Sequence, residues 1–208
     1  MRPEGKQRAV DPNQRLAEWG LTGGMLQDAL RPGLEHAMRV RSTSLASSPG
    51  TYMFHEGMEA LGAMLQSAGW RVIKVGGQDR IVHPEGKIAI VVSSATNLSS
   101  ELPRLAPVTR PKGPATRNSL DGRRMPEPLF GDIDDSPNEA PLWFLLHERT
   151  PTGAYVELSR PLRTSVRGAV NEWSERIRLG FMDLIGDLSI FEVPESNDFE
   201  FTVEPKAL

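Results

Sequence analysis

The chain contains no cysteine. That excludes disulfides, thiolate nucleophiles and every cysteine-containing zinc site. It also fits a reducing compartment, so a cytoplasmic location is expected. No run approaches the roughly 20 apolar residues that a membrane-spanning helix needs, and no membrane partner is expected. The opening stretch MRPEGKQRAVDPNQR carries charge with no apolar run behind it, so no signal peptide is read there. Neither sign of charge dominates: 24 Lys and Arg stand against 27 Asp and Glu, a net charge of −3. A nucleic-acid partner would therefore need a local basic patch, because the chain as a whole is not basic.

What is present is the material of one globular unit. Of the 208 residues, 38% are hydrophobic, enough for a core. Residues 1–15 are read as an N-terminal tail. Residues 16–208 are read as a single α+β domain with an irregular, proline-rich, charged insertion at about 102–140. Leu16 to Val40 has helical spacing in two pieces, with Thr22 as an N-cap and Pro32-Gly33 as a break between them. Phe54, Met58, Leu61 and Leu65 paint one apolar stripe along a helix from Thr51 to Ala68, and Gly69 stands where a C-terminal capping glycine belongs.

Three strands are expected next: Trp70 to Val75, Arg80 to His83, and Lys87 to Val92. The last is continuously apolar and so should be covered on both faces. After the insertion, Leu142 to His147 reads as a strand and Thr150 to Gly153 as a hairpin turn. A second strand follows with Ala154, Val156 and Leu158 on one face and Tyr155 and Glu157 on the other, ending at Pro161. Thr164 or Ser165 is expected to cap a helix with Val166, Ala169, Val170, Trp173 and Ile177 as its stripe, Glu172 and Arg176 as an i,i+4 pair, and Gly180 as its stop. Two strands, Leu188 to Val193 and Phe199 to Val203, would close the chain. The expected architecture is a mixed β-sheet carrying N-terminal helices and one C-terminal helix, interrupted by the insertion.

The insertion is the most unusual segment. Seven of the 17 prolines lie between Pro103 and Asn138. Arg104, Arg110, Lys112, Arg117, Arg123 and Arg124 face one acid, Asp121, in its first half, whereas Glu127 to Glu139 holds five acids and no base. Prolines at this density argue against a helix through it. Long irregular loops inside a domain are uncommon and are usually functional or disordered. Six cations on such a segment suit an acidic protein or a phosphate backbone. No aromatic is interleaved with them, so base stacking is not indicated. The acidic half could equally neutralise the basic half.

Other candidate sites are sparser. His55 and Glu59 stand one helical turn apart, the spacing of a zinc motif with its second histidine replaced, but two ligands do not make a site. No metal or other cofactor is expected, and no catalytic residue is assigned; Asp79 joins His55 and Glu59 only as a weak metal candidate. A helix with Glu59, a strand with Asp79 and a following apolar strand resemble, in order alone, the restriction-endonuclease-like nucleases. That resemblance implies a Glu-x-Lys motif on the last strand to hold magnesium and activate water. Here the strand reads Ala89-Ile90-Val91-Val92-Ser93-Ser94 with Lys87 ahead of it, so the resemblance implies a degenerate, inactive domain. Ser93 and Ser94 at the strand's carboxyl end, and Arg163 and Arg167 near the start of the expected C-terminal helix, are candidate anion-binding groups. The function expected is a non-enzymatic binding or accessory protein. It would engage a protein partner, or itself, through the insertion, with nucleic acid the second choice. An enzyme or degenerate nuclease-like domain and a structural subunit of a larger assembly are the alternatives.

Overall fold

The computed structural model describes residues 11–40, 43–100, 105–120 and 140–184. The described chain is an α+β fold: four helices and a mixed seven-stranded sheet ordered β1-β2-β3-β5-β6-β7, with β4 paired to β3 beside that path. No helix among the described residues is long and apolar enough to cross a membrane.

Helix α1 spans Pro12–Ala17, so the last residues of the expected tail are helical; the Asp11 carboxylate caps it by accepting from Asn13 N–H. Helix α2 spans Gly23–Met38, and Thr22 caps it as expected, its hydroxyl accepting from Met25 N–H at 3.2 Å. The expected break at Pro32-Gly33 does not occur. A proline inside a helix costs about 3 kcal/mol, but Leu26, Leu30, Leu34 and Ala37 are all buried along α2. Gly33 also lets the backbones of α2 and α3 touch: a Cβ there would lie 2.9 Å from Met53 Cα and Tyr52 O. Packing on both sides of the proline holds the helix through it. Helix α3 spans Ser48–Gln66 with Met53, Gly57, Met58, Leu61 and Leu65 buried, and Gly69 follows it at φ +82°.

Strands β1 (Arg71–Val75), β2 (Gln78–Val82) and β3 (Ala89–Thr96) form an antiparallel meander. Strand β5 (Leu142–Arg149) then runs parallel to β3, with Ala89 opposite Leu142 and Ser94 opposite His147. Strand β3 is buried on both faces, as its apolar run requires. Ile90 and Val92, with Trp143 and Leu145 of β5, join the core beneath α1–α3. Val91 and Ala95, with Leu142, Phe144 and Leu146, form a second core on the opposite face. The alternation of period two thus sends one set of side chains to the helices and the other to the face that the insertion covers.

The C-terminal part of the described chain departs most from the expectation. The predicted helix from Ser165 is instead the turn and second arm of a long hairpin: β6 spans Gly153–Thr164 and β7 spans Val170–Asp183. Ser165 N–H donates to Ala169 O and Gly168 N–H to Ser165 O, with Gly168 at φ +82°. Val166, expected in an apolar stripe, stands fully in solvent. Glu172 and Arg176 do not pair with each other; each crosses to β6, to Arg163 at 2.7 Å and to Glu157 at 2.6 Å. Pro161 does not end β6, because the pairing is irregular on both sides of it and such an irregularity needs no proline donor. Gly180 does not stop the element either; it sits at φ +89° in β7 opposite Val156, where the register slips. The insertion contains regular structure at its start: β4 (Val108–Thr109) and α4 (Pro114–Leu120). Proline is tolerated as the first residue of α4, where its missing N–H has no helical partner to lose. The rest of the insertion described in sequence terms, and the expected strands at Leu188 to Val193 and Phe199 to Val203, lie outside the described residues.

Candidate functional site: the insertion docked on the sheet

The segment 105–120 lies against the sheet face opposite the long helices, and several specific bonds fasten it there. Strand β4 pairs with the end of β3, Thr109 opposite Ala95 and Val108 opposite Thr96. The Thr109 hydroxyl accepts from Val170 N–H at 3.0 Å, and Trp173 Nε1 donates to Pro107 O at 2.8 Å. Lys112 N–H donates to Gly168 O at 2.9 Å, which ties the insertion to the β6–β7 turn.

Lys112, expected as a partner-binding cation, is turned inward. Its ammonium donates to the Ser93 hydroxyl and stands 5.0 Å from the centre of the Phe144 ring. Burial pushes its pKa down to about 8. Ser93, one of the expected anion-binding groups, is thereby occupied by the chain's own lysine, while Ser94 points toward the other face of β3. Arg110 and Arg117 of the same segment are exposed. Arg104, Arg123 and Arg124 lie outside the described residues. Of the other anion candidates, Arg163 is bound to Glu172, and Arg167 is exposed in the β6–β7 turn. That turn meets the insertion, for a Cβ on Gly168 would lie 3.9 Å from Arg117 Cδ. Tertiary structure therefore brings Arg110 and Arg117 to the same border as Arg167, two groups some fifty residues apart in sequence.

Three buried polar arrangements on or near this sheet had not been foreseen. Arg80 of β2 is only 1% exposed, and among the described residues its hydrogen-bond partners are neutral acceptors: Gln78 Oε1 at 3.2 and 3.1 Å, Ser119 Oγ at 2.8 Å and Ala115 O at 3.4 Å. Desolvation pushes it down to about 10. Two of these partners belong to α4, so the arginine pins the helix to β2. Glu157 of β6 is buried and accepts two bonds from Arg176, at 2.6 and 2.8 Å, and a third from the Ser159 hydroxyl. The two-residue alternation did place Glu157 away from Val156 and Leu158, but it gave no hint of burial or of its partner. His147 of β5 is 3% exposed, its Nδ1 has no partner among the described residues, and desolvation, with Arg149 and Lys112 nearby, pushes its pKa down to about 3.

The weak metal candidates stay apart from this site. His55 and Glu59 are exposed on α3, and Asp79 is exposed on β2. Among the described residues no group of three or more His, Asp or Glu side chains is placed to hold a metal ion. No protein-family model, curated protein or solved structure matches the chain.

Proposed function

We propose that this chain is a non-enzymatic binding or accessory protein whose partner is an acidic protein segment, engaged at the border where the docked insertion meets the β6–β7 turn. The observation that carries this reading is the bond from Lys112 N–H to Gly168 O. It fixes a backbone frame from which Arg110, Arg117 and Arg167 project into solvent. Neither segment, 105–120 nor 165–169, contains an acid. Leu162 and Val166, 54% and 108% exposed, add apolar surface beside those cations. Cations around exposed apolar side chains suit an acidic, partly apolar peptide: charge steers the encounter and the apolar contact retains it.

Reversing all three exposed cations (R110E, R117E and R167E together) tests this without touching the core. A labelled peptide of alternating Glu and Leu should bind the wild type in a salt-sensitive way by fluorescence anisotropy, and the triple variant at least about tenfold more weakly. Equal binding by the variant, or none by the wild type, rejects the reading. A duplex oligonucleotide in the same assay separates the partner classes: tighter binding to it would move the assignment to nucleic acid.

A further inference from the structure

Strand β7 ends at Asp183, and beyond Leu184 the sequence continues through residues 185–208, which lie outside the described ones. Their composition is one-sided. Six acids, Asp187, Glu192, Glu195, Asp198, Glu200 and Glu204, stand against one base, Lys206. The run Phe199-Glu200-Phe201-Thr202-Val203-Glu204 alternates apolar with mostly acidic residues. An acidic, partly apolar segment is the class of ligand that the border of Arg110, Arg117 and Arg167 suits.

That border has charge left to offer. Among the described residues none of the three arginines is in an ion pair. The acids of β7 nearest the turn are already taken: Glu172 by Arg163 at 2.7 Å and Glu175 by Arg15 at 2.8 Å. Leu162 and Val166 stand exposed beside the cations as apolar counterparts for Phe199, Phe201 and Val203. The other acidic run, residues 127–139, matches less well. It does not alternate, it holds Pro128, Gly131 and Pro137, and Arg123 and Arg124 stand just ahead of it as nearer cations.

The run 199–204 can also reach the border of its own molecule. Strand β7 has 14 residues, so its ends are at most about 46 Å apart at about 3.3 Å per residue. The stretch from Leu184 to Phe199, fully extended, spans about 50 Å. Strand β7 is an edge of the sheet, with β6 on one side and no other described strand on the second. A segment returning along that side meets no strand among the described residues.

Given the reading of the border as an acidic-peptide site, on which this step rests, we propose that residues 199–204 dock on Arg110, Arg117 and Arg167 of their own molecule and compete there with an outside partner. Tethering gives the run a local concentration that a free partner must overcome. A partner therefore binds the whole chain more weakly than it would bind the vacant border.

The lack of cysteine makes the contact measurable. Asn171, exposed near the start of β7, and Thr202 are each replaced by cysteine in the full chain (Asn171→Cys, Thr202→Cys) and spin-labelled. Pulsed electron spin resonance should give a narrow distance below about 25 Å, against a broad distribution beyond about 30 Å for a free coil anchored at the far end of β7. R110E, R117E and R167E together should broaden it, and adding D198K, E200K and E204K should restore it. Dilution with unlabelled chain should leave it unchanged. In the otherwise wild-type chain, D198N, E200Q and E204Q together should bind the Glu/Leu peptide about tenfold more tightly by vacating the border. A broad distribution in the starting protein, a narrow one that survives the arginine reversal, or one lost on dilution (the run of a second copy) overturns the proposal. So does peptide binding that the neutral variant leaves unchanged, which keeps the border as a site and hands it to residues 127–139. No peptide binding by either protein rejects the border reading itself and this proposal with it.

Discussion

Replacing Lys112 by methionine keeps the length and apolar bulk of the side chain and removes its charge. In the folded chain that charge is buried against Phe144 with a hydroxyl for its partner. The drop in its pKa from 10.5 to about 8 corresponds to about 3 kcal/mol of penalty on the charged form. The bond to Ser93 and the ring contact offset part of this, each by about 1 kcal/mol. Ser93 is not stranded by the substitution, since its hydroxyl also reaches Ser94 O at 3.3 Å. Lys112→Met should therefore stabilise the protein by about 1–2 kcal/mol at pH 7. The sign of the pH dependence follows from linkage: between about pH 8 and 10.5 the unfolded lysine holds a proton that the folded one has released, so wild-type stability rises with pH across that window. The advantage of the methionine variant should shrink over the same window. Urea unfolding of both proteins at pH 7 and pH 10, with equal m-values, measures this. A variant less stable than the wild type at pH 7, or a difference that does not change with pH, would refute the reasoning.

Three further outcomes follow from the packing and charges. Gly33→Ala gains helix propensity but drives a Cβ to 2.9 Å from the α3 backbone, and should lower stability by about 1–3 kcal/mol in denaturant unfolding; a gain would show that α2 and α3 are not in backbone contact. Arg176→Ala removes both hydrogen bonds that Arg176 gives the buried Glu157, leaves it Arg178 at 4.0 Å, and should cost about 3 kcal/mol, more than Glu157→Ala, because Arg176 keeps 22% of its side-chain surface against 2% for Glu157 and can return to water. His147, held neutral down to about pH 3, favours unfolding as pH falls from 6.5, because the unfolded imidazole takes up a proton that the folded one cannot; His147→Leu should flatten that part of the acid-stability curve.

The helices and the central strands were legible because their signals are local. A hydroxyl at Thr22, the stripe through Phe54, Met58, Leu61 and Leu65, and a run such as LWFLLH each state their structure over a few residues. The 164–183 region misled for an equally physical reason. Val166, Val170, Trp173 and Ile177 fit a helical stripe at three and four residues, and the pairing with β6 that overrides it depends on a strand already laid down elsewhere. Pro161 and Gly180 look like stops until a partner strand makes room for bulges at both. The candidate site was legible as a list of cations and not as a place: nothing in the order of residues says that Lys112 turns inward to Ser93 while Arg110 and Arg117 stay in solvent.

Composition and periodicity by themselves determined the α+β class, the caps and apolar faces of the helices, the doubly buried central strand, and the presence of a charge-segregated insertion. They do so because each depends on how one residue relates to its near neighbours in the chain. Tertiary structure decided which polar groups are buried and what meets them: Arg80 on neutral acceptors, Glu157 on Arg176, and Lys112 on Ser93. Burial and pairing are properties of surfaces brought together over long sequence separations, and it is those contacts that make cysteine-free, near-neutral material into one shaped border of cations.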